Sequence, residues 1–240
     1  MQGYYHSVET FGTVDGKGIR YVLFLTGCAL GCRFCHNPDT WVRGEKTITV
    51  EQVLSDYSKY RPYYDASGGG ITVSGGEPLL QAAFVAELFA ACRLQGIHTT
   101  LDTAGFADRS SIDQVLPHTD TVLFGLKTAV NRTHQDLTTS GAEPIVQSLR
   151  HIAAAPVALI LRYILIPGLN NSEEELGALV QVINSLPRPI AVELLPYHAM
   201  GATKWSRLGN EYSLTGIPPA SAADIEEAKA FLAGRGLMIL

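Results

Sequence analysis

Cysteine is scarce in this sequence: there are four in 240 residues, at Cys28, Cys32, Cys35 and Cys92. A disulfide scaffold of this size would carry more, so the thiols predict reducing surroundings, a cytoplasmic location. Basic residues are outnumbered, with 18 Lys plus Arg against 23 Asp plus Glu and a net charge of −5. That balance argues against a nucleic-acid partner. No apolar run reaches the roughly 18 residues of a membrane span, so no membrane is expected either. Residues 1–10 have neither the basic start nor the apolar core of a secretory signal. No low-complexity segment, charge block or linker interrupts the chain, which predicts one domain over 1–240, and we expect a monomer. What is present is a globular balance, 46% hydrophobic and 17% charged. It excludes disorder and suffices for a sizeable core.

Runs rich in Val, Ile, Leu and Thr at 19–26, 70–74, 97–102, 120–126, 157–166 and 190–195 predict strands buried on both faces. Helical spacing fills 49–60, 78–95, 110–116, 143–154, 172–186 and 221–233, with a short last strand at 237–240. Thr49 with Gln52 and Ser172 with Glu175 have capping-box spacing, Ser110 with Asp113 opens another helix, and Pro78 heads the longest. Cys92 falls in the apolar stripe of that longest helix, a core position. Strand and helix alternate about six times, the pattern of a parallel sheet with right-handed crossovers. A complete eight-unit barrel takes roughly 250 residues. Six units plus end segments in 240 residues therefore predict a partial, laterally open α/β barrel, in preference to a doubly wound sheet.

Polar clusters follow the strands: residues 27–37, then Ser74-Gly75-Gly76-Glu77-Pro78, Asp102-Thr103, Gly125-Leu126-Lys127, Arg162 with Pro167-Gly168, and Pro196-Tyr197-His198. Chemistry in parallel α/β folds gathers at the carboxyl ends of strands, so these clusters predict one active site. Cys28, Cys32 and Cys35 form C-x3-C-x2-C on a glycine-containing loop, able to wrap one compact metal centre. Structural zinc wants four closed ligands, and His36, adjacent to Cys35, is awkward as the fourth. A cubane iron–sulfur cluster ordinarily takes four thiolates, and three leave one iron open. A non-catalytic zinc-binding module is the alternative of a different class. Taken singly, Gly75-Gly76 is a turn, Asp102 and Thr103 cap a strand end, Lys127 is a solvated charge, His198 a surface histidine and Asp15-Gly16 a turn pair. Arg162 differs, because a charge within a strand needs a partner.

On these residues the chain resembles the radical S-adenosylmethionine enzymes, whose signature is C-x3-C-x2-C after the first strand with an aromatic, here Phe34, before the third cysteine. More narrowly it resembles the activating enzymes of glycyl radical enzymes. Thr13-Val14-Asp15-Gly16-Lys17-Gly18-Ile19-Arg20, Cys35-His36-Asn37-Pro38-Asp39-Thr40-Trp41, Ala66-Ser67-Gly68-Gly69-Gly70, Leu101-Asp102-Thr103 and Leu194-Leu195-Pro196-Tyr197-His198 carry that likeness. Some relatives hold two further clusters on extra cysteines, which this chain lacks; that favours the branch acting on pyruvate formate-lyase. Another glycyl radical enzyme, or a small molecule, is the alternative target.

The resemblance implies a 4Fe-4S cluster on Cys28, Cys32 and Cys35, with S-adenosylmethionine chelated to the open iron. One electron from the reduced cluster would break the bond from sulfur to the 5′ carbon. The resulting 5′-deoxyadenosyl radical would take an α-hydrogen from one glycine of the partner. Gly75, Gly76 and Glu77 would receive the methionine amino group, and Lys127 the carboxylate. Asp102 and Thr103 would lie beside the cofactor and bind a monovalent cation, potassium or sodium. Asn37, Arg162 and His198 belong to the same cofactor site, with Asn37 and His198 near the adenosyl group. Asp15 would lie where the partner's glycine loop enters, and the segment from Tyr197 to Trp205 is a second docking candidate. An electron donor such as flavodoxin is implied. Two departures stand out: Gly125 replaces the usual Asp two residues before Lys127, and Lys17 replaces a usual proline.

Overall fold

Two units, each with its own buried core, make up the computed structural model, which describes residues 1–240. The first comprises Met1–Ala29 and Thr40–Leu123. Its first strand, β1 (Gln2–Gly12), returns antiparallel as β2 (Arg20–Leu25), and β3 (Thr47–Thr49) pairs antiparallel with the start of β1. Helices α1 (Val50–Ser58) and α2 (Arg61–Ser67) lead to β4 (Gly70–Gly75), which lies parallel to β2. Helix α3 (Ala82–Leu94) leads to β5 (His98–Thr103), parallel to β4. Helix α4 (Arg109–Val115) precedes β6 (Thr121–Gly125), the strand on which the unit boundary falls.

The second unit comprises Leu30–Asp39 and Phe124–Leu240. Helices α5 (Asn131–Leu137) and α6 (Ala142–Ala154) precede β7 (Ala158–Leu165). Then come α7 (Glu173–Asn184), β8 (Ala191–Pro196), α8 (Ala202–Arg207), α9 (Ala222–Ala233) and β9 (Met238–Ile239). Strand order is β3-β1-β2-β4-β5 in the first unit and β7-β8-β9, all parallel, in the second. The first unit's strands are mixed in direction with the short β3 at one edge, and the short β9 lies at one edge of the second unit's parallel strands. No helix is long and apolar enough to cross a membrane.

The six strands expected from apolar runs all form, within two residues of their expected ends, because β-branched and aliphatic side chains fill both faces of a covered sheet. Tyr21, Val22, Leu23 and Leu25 of β2 are fully buried. Strands β7 and β8 depart from that expectation. Their burial alternates, with Leu159, Leu161, Tyr163 and Leu165 inside while Ile160, Arg162 and Ile164 are only partly buried. The face carrying Arg162 is thus the partly open one.

Four local readings need correction. β1 has no counterpart among the expected strands, since its mixed, half-buried sequence gives no clean alternation. The helix expected over 78–95 begins as a 3-10 turn at Pro78–Gln81, where Glu77 Oε1 caps Leu79 N, and becomes α-helical only from Ala82. Asp108, not Ser110, occupies the N-cap of α4. The Ser172–Glu175 box is only half formed: Ser172 Oγ accepts from Glu175 N, but the Glu175 carboxylate accepts from Thr128 and Thr133 instead. The Thr49–Gln52 box is complete.

His134 of α5 is fully buried, with Nδ1 donating to the Ser140 carbonyl at 2.7 Å and Nε2 unpartnered. Burial holds its pKa below the ordinary 6.5, against the opposing pull of the Ser140 bond. Below pH 6.5 the unfolded chain therefore binds a proton that the folded chain resists. Stability falls as pH drops through that range, by at most about 1.4 kcal/mol per pH unit from this group. Urea unfolding at a series of pH values should show a shallower acid slope for His134→Gln than for the wild type. Equal slopes would remove His134 as a source of the acid sensitivity.

Candidate active site

In the first unit the loop entering the cysteine motif is laced to the Gly75-Gly76-Glu77 turn. Gly76 N donates to Leu25 O at 2.9 Å and Glu77 N to Gly27 O at 2.8 Å, while Gly27 N donates to Thr40 O at 2.7 Å and Cys28 N to Trp41 O at 3.0 Å. A Cβ on Gly76 would lie 2.3 Å from the Gly27 carbonyl oxygen, so only glycine permits this approach. Gly75 has φ +106°, a conformation that favours glycine. The turn therefore brings main-chain groups beside Cys28 rather than side chains.

Glu77 and Thr103 meet in the interior behind the turn. Glu77 is 1% exposed. Its Oε1 accepts from Leu79 N and the Thr103 hydroxyl, and its Oε2 accepts from Ala104 N. Burial raises the pKa of this carboxyl, opposed by those three donors. The side chain is a buried brace for the turn. Thr103 faces the same interior, whereas Asp102 Oδ2 accepts from Ser74 Oγ at 2.7 Å on the other face of the sheet. Thr103 Oγ1 also accepts from Gly105 N at 2.8 Å. No group of three or more His, Cys, Asp or Glu side chains is arranged around a single ion.

The 13–19 turn folds back over the Asp102 face. Thr72 Oγ1 donates to the Asp15 carbonyl at 2.7 Å, and the Gly16 Cβ position lies 3.4 Å from Thr100 Oγ1. Arg20 anchors the turn. It is fully buried and donates to Thr72 Oγ1, Thr100 Oγ1, Ile71 O, His98 O and Lys17 O. Burial lowers its pKa to about 10, still charged at neutrality. Arg20→Leu should cost about 3 kcal/mol, because it strips several buried acceptors of their donor. Limited proteolysis should then cut within 13–19 of the variant before the rest of the chain. Wild-type stability and protection would contradict the anchoring role.

In the second unit the 30–39 segment is held along its length. Thr139 N donates to Leu30 O, Arg33 N to Leu137 O, and the Arg33 guanidinium to Asp136 O, Ser213 Oγ and Ser213 O. Trp205 Nε1 donates to Cys35 O at 2.9 Å, and Lys204 Nζ to Asn37 Oδ1 at 2.7 Å. His36 Nε2 donates to His198 O, and the two rings stack at 4.4 Å. His198 Nδ1 is buried without a hydrogen-bond partner. Lys127 Nζ lies 5.9 Å from the ring centre of buried Phe34, and its carbonyl accepts from Asn170 Nδ2. Arg162 Nε donates to Glu193 Oε2 at 2.7 Å across the β7–β8 register, the partner that its place in a strand requires.

Cys28, Cys32 and Cys35 are half-buried on one loop and joined in no disulfide. Asn37 N–H donates to Cys35 Sγ at 3.4 Å, the kind of bond that accompanies metal-bound sulfur. Soft thiolate donors, three in number, fit an iron–sulfur cluster with one iron open to a ligand. Cys92 does not belong with them, because burial pushes its thiol up to about 12. Sequence reasoning misses Glu193, Lys204 and the donor role of Trp205; a polar residue opposite Arg162 on the next strand is the one available signal, and it depends on register.

Residues 22–180 match the Radical SAM superfamily. The pyruvate formate-lyase-activating enzyme of Staphylococcus epidermidis is 39% identical, over 97% of this chain and 96% of its own. Its counterpart from Staphylococcus aureus is 42% identical, over 96% of this chain and 94% of its own. A radical SAM methyltransferase from Sphaerobacter thermophilus shares the fold, with TM-score 0.68 and 19% identity over 95% of this chain and 70% of its own.

Proposed function

The chain belongs to the radical SAM superfamily and, within it, to the pyruvate formate-lyase-activating enzymes, and on that premise we propose that it installs the glycyl radical of pyruvate formate-lyase. Near-complete coverage at 39–42% identity carries the reading, together with the C-x3-C-x2-C motif on the loop after β2. Cluster and S-adenosylmethionine, when bound, supply reductive cleavage of the sulfonium and the power to abstract a glycine α-hydrogen.

The protein's own residues bind, orient and shield. Cys28, Cys32 and Cys35 hold the cluster. The main chain of Gly75 and Gly76 receives the methionine amino group, with Glu77 bracing that turn from within. Lys127 neutralises the methionine carboxylate, its backbone fixed by Asn170. Arg162, oriented by Glu193, and Asn37 and His198 line the rest of the cofactor site, and Phe34 packs behind the third cysteine. Asp102 and Thr103 provide a monovalent-cation position, with Gly125 supplying no second carboxylate. Asp15 meets the partner's glycine loop. We read 1–240 as one radical SAM domain, monomeric and cytoplasmic, reduced by a flavodoxin-type donor.

The test is to reconstitute the chain anaerobically, reduce it, and add S-adenosylmethionine with pyruvate formate-lyase. An organic radical signal on the added protein and pyruvate formate-lyase activity are expected. Cofactor cleavage with no radical on that partner would sink the assignment of target.

A further inference from the structure

Helix α8 is short and overlaps the 197–205 docking candidate, and two of its side chains reach the segment that follows the third cysteine. Lys204 Nζ donates to Asn37 Oδ1 at 2.7 Å and lies 3.5 Å from Asp39 Oδ2. Trp205 Nε1 donates to the Cys35 carbonyl at 2.9 Å. Between these two anchors, Asn37 N–H donates to Cys35 Sγ. The helix is itself fixed. Trp205 is buried and meets Tyr212 edge-on at 5.7 Å, and Tyr212 bonds Tyr197 through their hydroxyls at 2.9 Å. A Cβ on Gly201 would lie 2.8 Å from His36 Cα and 3.2 Å from Cys35 O, so the helix start also presses against this backbone.

We propose that Lys204 and Trp205 are positioning residues that hold the Cys35–Asn37 backbone so that its N–H stays on the cysteine sulfur, and that they thereby set the reduction potential of the cluster. The proposal rests on the reading that Cys35 is a cluster ligand. Its physical basis is general. Hydrogen bonds to ligating sulfur and nearby positive charge stabilise the reduced, more negative state and raise the potential. Lys204 supplies both, directly as a cation and indirectly by holding Asn37. Removing it also leaves Asp39 without this cation. Trp205 supplies only the hold on the Cys35 carbonyl.

The experiment compares wild type, Lys204→Met, Lys204→Arg and Trp205→Phe, each reconstituted with iron and sulfide and titrated anaerobically with the cluster's reduced signal as readout. Lys204→Met should lower the reduced-to-oxidised ratio at a fixed poise about tenfold, which is about 59 mV for one electron. Lys204→Arg should restore it, and Trp205→Phe should shift it in the same direction by less. Iron content and thermal unfolding are measured alongside. A Lys204→Met protein that fails to load iron while Lys204→Arg loads fully would also support the role. Full iron loading with wild-type potential in both Lys204→Met and Trp205→Phe would overturn it. A wild-type chain that takes up no cluster would instead overturn the underlying ligand assignment.

Discussion

Replacing Cys28, Cys32 or Cys35 by alanine should leave a folded chain that takes up less than about one iron, against about four in the wild type, and cleaves no detectable S-adenosylmethionine. Each of the three side chains is only half-buried, so its loss leaves little cavity and the chain should survive the change. The cluster should not survive it. Three protein ligands are already one short of the ordinary four, and two leave a second iron without protein support. Cys92→Ala is the internal control. That thiol is fully buried and held protonated, its pKa pushed up to about 12. Its removal should cost about 1 kcal/mol in packing and change neither iron content nor turnover. Iron and sulfide assays with cofactor cleavage measured by chromatography separate the two classes. A motif variant that keeps its full complement of iron would refute the assignment of that cysteine.

Gly76→Ala should be nearly as damaging, by a different route. The added methyl would meet the Gly27 carbonyl oxygen at 2.3 Å, its carbon at 2.8 Å and Thr40 O at 3.2 Å. All three are main-chain atoms, so no side chain can swing away. The Glu77 N to Gly27 O bond would have to stretch or break, displacing the residue just before Cys28. A cost of about 3 kcal/mol is expected in stability, with a loss of about 100-fold in S-adenosylmethionine affinity, the upper range for groups that orient a ligand site. Gly177→Ala in α7 has open space around the new methyl and should be neutral or slightly stabilising. Equilibrium binding and thermal unfolding of both variants give the comparison. Undiminished affinity in Gly76→Ala would mean that the turn does not contact the cofactor.

Much of this was legible in the order of residues. Continuous apolar runs marked β2 and β6, because strands covered on both faces are filled mainly by aliphatic and aromatic side chains. Spacing alone set the cysteine motif on the loop after β2 and the glycine turn after β4. What was not legible depended on pairing over distance. β1 is long but half-buried, and its antiparallel partner β2 defines it more than its own sequence does. The fate of Glu77 follows from Thr103 and Ala104, 26 and 27 residues away. Arg162 needed the β7–β8 register to find Glu193. The hold of Lys204 and Trp205 on the 35–39 segment spans 167 and 170 residues. Periodicity reports which face a residue occupies, but it is silent on which distant residue completes it.

The central claim is that a hydrogen moves from a glycine of pyruvate formate-lyase to the cofactor held by this chain. The direct measurement uses partner protein deuterated at the glycine α-carbons. After reaction with the reduced, cluster-loaded chain, mass spectrometry should find one deuterium in the 5′-deoxyadenosine, in proportion to the glycyl radical formed. Unlabelled 5′-deoxyadenosine accompanying a full glycyl radical signal would contradict the account.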